Sequence, residues 1–235
     1  MKKLILLLLL IPIVSFGQTD TEYFDSGNDK AEAKDYYGAI SDYTKAIEIN
    51  PNFGSSGIYY NRGVAKGRLN DNYGAIADYT KAIEINPYYA DAYYSIGLAK
   101  DNLGDYNGAI ADYTKAIEIN PYYADAYYNR GLTKVRLNDN YGAIADYTKA
   151  VEINPYYADA YNNRGVLKKN LKDYYGAIAD YTKAIEINPN NYEAYMNRGL
   201  SKADLNDLTG ACADWKKAVS LGYTNYAEWI ANQCN

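Results

Sequence analysis

Histidine is absent from all 235 residues, and cysteine occurs only twice, as Cys212 and Cys234. Without histidine the chain has no side chain whose ordinary pKa lies near neutrality, which excludes Ser-His and Cys-His nucleophilic pairs and most zinc sites. Two late cysteines are too few for a thiolate metal cluster. No glycine-rich phosphate loop follows a strand pattern, so no cofactor is expected. Basic charge is also scarce: 24 Lys and Arg stand against 29 Asp and Glu, a net charge of −5. An acidic chain with interspersed signs lacks the basic stripe that neutralises phosphates, which argues against nucleic acid as a partner.

Long apolar runs are missing as well. Leu4–Val14 covers 11 residues and contains Pro12, short of the roughly 20 needed to span a bilayer. Lys2 and Lys3 precede it, and the small residues Ser15 and Gly17 follow. This order is that of a secretory signal peptide over 1–17, with cleavage before Gln18. Removal leaves 22 basic and 29 acidic residues, a net charge of −7 with no transmembrane segment. The expected location is therefore exported, periplasmic or secreted.

What is abundant is repetition. Pro51, Pro87, Pro121, Pro155 and Pro189 each close the phrase Glu-Ile-Asn-Pro, and the last four stand 34 residues apart. A fixed period of this size marks a stacked array of helical units, each burying its apolar face only against its neighbours. With Pro121 at position 32, one unit runs ADAYYSIGLAKDNLGDYNGAIADYTKAIEINPYY from Ala90. Its landmarks are Tyr93 (position 4), Gly97 (8), Ala109 (20), Tyr113 (24), Ala116 (27) and Pro121 (32). Six consecutive units keep the register: position 8 is Gly27, Gly63, Gly97, Gly131, Gly165 and Gly199, and position 24 is tyrosine until Trp215.

On these landmarks the chain resembles the tetratricopeptide repeat family. The resemblance implies an all-α, right-handed solenoid of helix-turn-helix units, at about 20–53, 54–89, 90–123, 124–157, 158–191 and 192–225, with a terminal cap over 226–235. Helix A is expected at positions 2–14 and helix B at 17–30. Asp at position 16 (Asp35, Asp71, Asp105, Asp139, Asp173, Asp207) is placed to cap helix B, an interaction of about 1 kcal/mol. Glycine at position 19 in every unit has no evident reason and costs a helix about 1 kcal/mol relative to alanine. The second unit carries two extra residues near the turn-like Gly54-Ser55-Ser56-Gly57.

Recurring acids at position 23 (Asp42, Asp78, Asp112, Asp146, Asp180, Asp214) read as structure, because an active site is unique whereas these repeat. Arg at position 7 and Lys at position 11 share a helix-A face one turn apart, and are expected to meet that Asp in a ladder. Catalysis is not expected. Cys212 faces the terminal segment, where a disulfide to Cys234 fits an exported protein; the alternative is two buried thiols.

In the family, helix-A positions 2, 5, 9, 12 and 13 line a concave groove that holds protein or peptide partners. Carried over, the groove is Tyr60, Val64 and Arg68, then Tyr94 and Leu98, then Tyr128, Leu132 and Arg136. Members that clamp chaperone carboxylates carry Lys at position 5 and Asn at position 9, and the central units here carry neither. The implied function is a non-catalytic scaffold or adaptor. Thirty tyrosines keep a second reading open, a glycan- or cell-wall-binding protein using exposed rings. Much tyrosine is expected to be core, with the doublets Tyr88-Tyr89, Tyr122-Tyr123 and Tyr156-Tyr157 at the turns between units.

Overall fold

The computed structural model describes residues 18–51, 55–224 and 227–234. The signal-peptide segment 1–17, Gly54 and Tyr226 lie outside them. Thirteen helices follow one another with no strand among the described residues. Six are A helices: α1 (Asp20–Glu32), α3 (Ser55–Arg68), α5 (Ala90–Asn102), α7 (Ala124–Arg136), α9 (Ala158–Asn170) and α11 (Tyr192–Asp204). Their B partners are α2 (Tyr36–Ile49), α4 (Asn72–Ile85), α6 (Tyr106–Ile119), α8 (Asn140–Ile153), α10 (Tyr174–Ile187) and α12 (Leu208–Ser220), and α13 (Ala227–Gln233) closes the array. Most A helices thus occupy positions 1–13, one residue earlier than expected. Successive A helices such as α1 and α3, or α3 and α5, touch across units, whereas successive B helices do not to that extent. The A helices therefore lie on the inside of the curve.

Each unit is closed by the same local chemistry. Helix A ends in a left-handed residue at position 15: Lys34, Asn70, Asn138, Lys172, Asn206 and, in unit 3, Gly104. The next amide returns to the helix, as Asp139 N donates to Lys134 O at 2.9 Å, a Schellman closure that satisfies an orphan carbonyl. That same aspartate then caps helix B, its carboxylate accepting from the position-19 amide in all six units.

The cap explains the recurrent glycine. The capping aspartate has ψ near 70°, 70° at Asp139 itself, which swings its carboxylate over the Cα of position 19. A Cβ on Gly142 would stand 2.1 Å from Asp139 Oδ2, and the other five position-19 glycines repeat the clash at 2.1–2.2 Å. Glycine thus leaves room for the cap that it completes.

Between the helices, the position-24 ring lies on the position-8 glycine: a Cβ on Gly131 would meet Tyr147 Cε1 at 2.7 Å. Ala39, Ala75, Ala109, Ala143, Ala177 and Ala211 are buried beside these rings. The two extra residues of unit 2 do not make a turn at Ser55–Gly57, which is helical. α3 instead has 14 residues where most A helices have 13.

The two ends are finished differently. On α1 the stripe that elsewhere packs against a preceding unit reads Glu22, Asp25, Asp29 and Glu32, all exposed. The equivalents of Glu22 are Ile58, Ala92, Ala126, Ala160 and Ala194, all fully buried. Four acids thus leave a solvated outer face, the requirement of a terminal repeat. At the far end Ile230 of α13 is buried against Met196, Trp215 and Ala218, and a disulfide joins Cys212 to Cys234. Closing that loop of 22 residues stabilises by roughly 3 kcal/mol in the chain-entropy account. No described helix is long and apolar enough to cross a membrane.

Candidate functional site

The ladder of charges lies between A and B helices. Arg130 forks onto Asp146, Nε to Oδ2 at 2.9 Å and Nη2 to Oδ1 at 2.6 Å, and Lys134 reaches the same carboxylate at 2.8 Å. Arg62, Arg164 and Arg198 do likewise to Asp78, Asp180 and Asp214. Each guanidinium also lies over the position-4 tyrosine of its own helix, 5.4 Å away for Arg130 and Tyr127. Its Nη1 donates to a threonine of the preceding unit, Thr114 in the case of Arg130, at 2.9 Å. The acids are thus used up in holding units in register.

The groove is built on tyrosines that sandwich one another. Tyr94 stands between Tyr113 at 5.8 Å and Tyr123 at 4.9 Å, and Tyr128 between Tyr147 at 5.7 Å and Tyr157 at 4.7 Å. Tyr60 repeats the arrangement with Tyr79 and Tyr89. Position 6 of the following unit ties the phenols together, Asn129 donating to Tyr94 Oη at 2.9 Å and Asn163 to Tyr128 Oη at 3.1 Å. Burial raises the pKa of Tyr60 and Tyr128 and pushes Tyr94 up to about 12, with Asp125 adding to the last. The phenols are therefore neutral hydrogen-bonding groups throughout the physiological range, neither bases nor nucleophiles. The aromatic run stops at unit 5, where Asn162 is buried and its Oδ1 has no partner, like the hydroxyl of Tyr181 beneath.

Two cavities open along the first half of this groove. One of about 360 Å³ between units 2 and 3 is lined by Tyr60, Val64, Arg68, Leu98, Ser95 and Asn102, among others. The other, about 510 Å³ between units 1 and 2, includes Asn28, Glu32, Tyr36, Asn61, Val64 and Arg68. Of the expected groove residues, Tyr60, Val64, Arg68 and Leu98 thus come together. Leu132 and Tyr128 instead pack on Ala143, Tyr147 and Leu167. Arg136 is not a free edge charge: it pairs with Asp101 of the preceding unit and lies over Tyr106 at 5.6 Å.

Sequence reasoning did not single out the position-34 tyrosines as groove walls, nor Asp101, Ser95 and Asn129. The signal was an offset of one period plus one residue, which links Tyr94 to Asn129 and Asp101 to Arg136. The tyrosine doublets divide. Their second members pack, while Tyr88, Tyr122 and Tyr156 are 80–81% exposed and Tyr37, Tyr73, Tyr141 and Tyr175 are 76–77% exposed.

Stacked helical hairpins with a side-chain-lined inner groove define an α-solenoid of the protein-interaction type. Models of the tetratricopeptide repeat match residues 124–157 and 158–191, and a TPR repeat model matches 68–101 and 102–138, together more than half of the chain. The chain belongs to the tetratricopeptide repeat family. Among solved structures it is similar to MamA, at 28% identity over 72% of this chain and 96% of that one, with a TM-score of 0.64. It is also similar to YrrB, described as a TPR protein with an unusual peptide-binding site, at 25% identity over 81% and 97% of the two chains and a TM-score of 0.69. A tetratricopeptide repeat protein from Parabacteroides merdae shares the fold at 21% identity, covering 93% and 98%, with a TM-score of 0.67. Comparison with curated proteins gives no match.

Proposed function

We propose that this protein is an exported, non-catalytic adaptor whose inner groove holds a segment of a partner protein. The observation that carries the reading is the run from Tyr60 to Leu98, half-buried rings and aliphatics opening into two cavities of peptide-side-chain size. Tyrosine offers large amphipathic contact area at low entropic cost, which suits such a surface. The fold is generally a non-catalytic scaffold, and a structural relative is described as having a peptide-binding site. Export rests on the sequence of 1–17.

A photo-reactive residue at position 98, in the groove, should capture a partner from the native envelope fraction that the same residue at position 122 does not. Capture at 122 and not at 98 would move the site out of the groove. Mass spectrometry of the mature N-terminus should find Gln18 first, and an intact Met1 would end the reading of 1–17 as a cleaved signal peptide.

The seven tyrosines exposed at 76–81% favour a second reading, stacking on sugar rings. Retention on insoluble polysaccharide, lost when Tyr73, Tyr141 and Tyr175 become serine, would support it. Absence of retention on any polymer would count against it.

A further inference from the structure

Arg68 and Arg136 hold the same repeat position, and their surroundings differ by two side chains. Arg136 is held by Asp101, position 12 of the unit before it, and lies over Tyr106, position 17 of that unit. Asp101 in turn accepts from Thr133 Oγ1 at 2.8 Å. Around Arg68 the corresponding tyrosine is present as Tyr36, but the corresponding acid is Ala31, and the threonine is Ala65. All three line the 510 Å³ cavity together with Arg68. Among the described residues no carboxylate oxygen lies within 4.0 Å of Arg68, whereas every position-7 arginine and Arg136 has one. The cavity between units 1 and 2 therefore repeats the Arg-Tyr frame of that cluster, with small side chains where its acid and its threonine would be.

Resting on the adaptor reading, we propose that this cavity receives the side-chain carboxylate of one aspartate or glutamate in the bound segment. The carboxylate takes the place that Asp101 holds in the other cluster, paired to Arg68 and beside Tyr36. Val64 and the neighbouring Tyr60 and Leu98 then take apolar side chains of the same segment. Glu32 lines the same cavity and is exposed. A second acid next to the first is repelled, and a basic residue there is favoured. The recognised element is a lone acid among apolar or basic residues, not an acidic run. Charged pairs across an interface act chiefly by fixing register and rejecting wrong partners, which suits a groove otherwise made of uniform tyrosine.

The test is selection of random dodecapeptides, displayed with their carboxy termini blocked by the display protein, on the purified protein and on three variants. R68Q removes the cation. A31D supplies the acid from within, copying Asp101, and should fill the site while leaving the melting temperature unchanged. L98E spoils the apolar groove. Peptides with one acid flanked by apolar residues should be enriched, and should bind at least tenfold more weakly to R68Q and to A31D. Enriched peptides that need Leu98 yet bind R68Q and A31D normally would overturn the carboxylate inference and leave the groove reading standing. Enrichment of acidic runs would overturn the role given to Glu32. Selection of no peptide sensitive to L98E would overturn both the inference and the groove reading.

Discussion

Two neighbouring junctions of the solenoid solve one problem with opposite chemistry. Between units 3 and 4, Arg130 ties Asp146 to Thr114 of the unit before and rests on Tyr127. Between units 2 and 3 the same position is Ile96, buried against Ala75, Tyr79, Ala82 and Ala92. There Asp112 retains only Lys100, at 2.6 Å, and its side chain is 16% exposed where that of Asp146 is 5% exposed. Both junctions bring a B helix against the next A helix, α4 with α5 and α6 with α7. The arginine is therefore not needed to form a junction; it fixes the register of one. This agrees with the general finding that a buried ion pair and a well-packed apolar replacement differ little in stability, whereas half a pair is costly.

The strongest way to break this comparison is to make the fourth unit like the third. Arg130→Ile leaves Asp146 buried with Lys134 alone, at 2.8 Å, and without the solvent access of Asp112. Breaking a buried pair costs about 3–5 kcal/mol, and the remaining lysine places this case near 3 kcal/mol. Urea denaturation should show that loss. A change below about 1 kcal/mol would mean that the two junction types are interchangeable as they stand.

That contrast was partly legible beforehand. The 34-residue period and the small residues at 8 and 20 dictate stacked hairpins, because a ring at position 24 fits only over a glycine. The position-7, -11 and -23 charges were expected to meet because all three fall on facing helix surfaces. The fate of Arg136 was not legible, since its partner Asp101 stands in another unit and shares no helix with it. The glycine at 19 was opaque for a different reason. Its place in the cap follows from the ψ of the aspartate three residues earlier, a backbone angle that no residue pattern displays.

A change that ought to be equal at both junctions makes a control for the first. Gly108 and Gly142 complete identical caps, with Asp105 and Asp139 accepting at 3.0 and 2.9 Å. Helix propensity alone says that Gly→Ala at an interior position gains about 1 kcal/mol. Here the methyl group displaces the capping carboxylate, so loss of the cap, worth about 1 kcal/mol, should offset that gain and leave Gly108→Ala and Gly142→Ala each near neutral. In an Asp139→Ala background there is no cap left to lose, and Gly142→Ala should stabilise by the full propensity gain of about 1 kcal/mol. Stabilisation by Gly142→Ala with Asp139 intact would show that the carboxylate moves aside freely, and that glycine is there for another reason.

The smallest effect is the most particular to Ile96. Burial raises the pKa of Asp112 despite the opposing Lys100 charge 2.6 Å away. In unit 1 position 7 is Ser26, and although burial is again the largest influence on Asp42, Lys30 and Ser26 outweigh it and lower its pKa. A carboxylate raised in the folded state favours folding when protonated. Its contribution is full below the ordinary aspartate value of about 3.9 and disappears as pH rises through the folded value. A lowered one contributes above the ordinary value and is lost as pH falls through its folded value. Acidification from pH 6 should therefore favour the wild type over Asp112→Asn, and below about pH 4 should favour Asp42→Asn over the wild type. Ile96→Arg brings a guanidinium within reach of Asp112 and of Thr80, the threonine equivalent to Thr114. It should alter stability at pH 7 by less than about 1 kcal/mol and abolish the Asp112 trend, because the carboxylate then gains the partner that its counterparts in four other units have. A trend that persists in Ile96→Arg would mean that burial at this junction, and not the missing arginine, sets Asp112 apart.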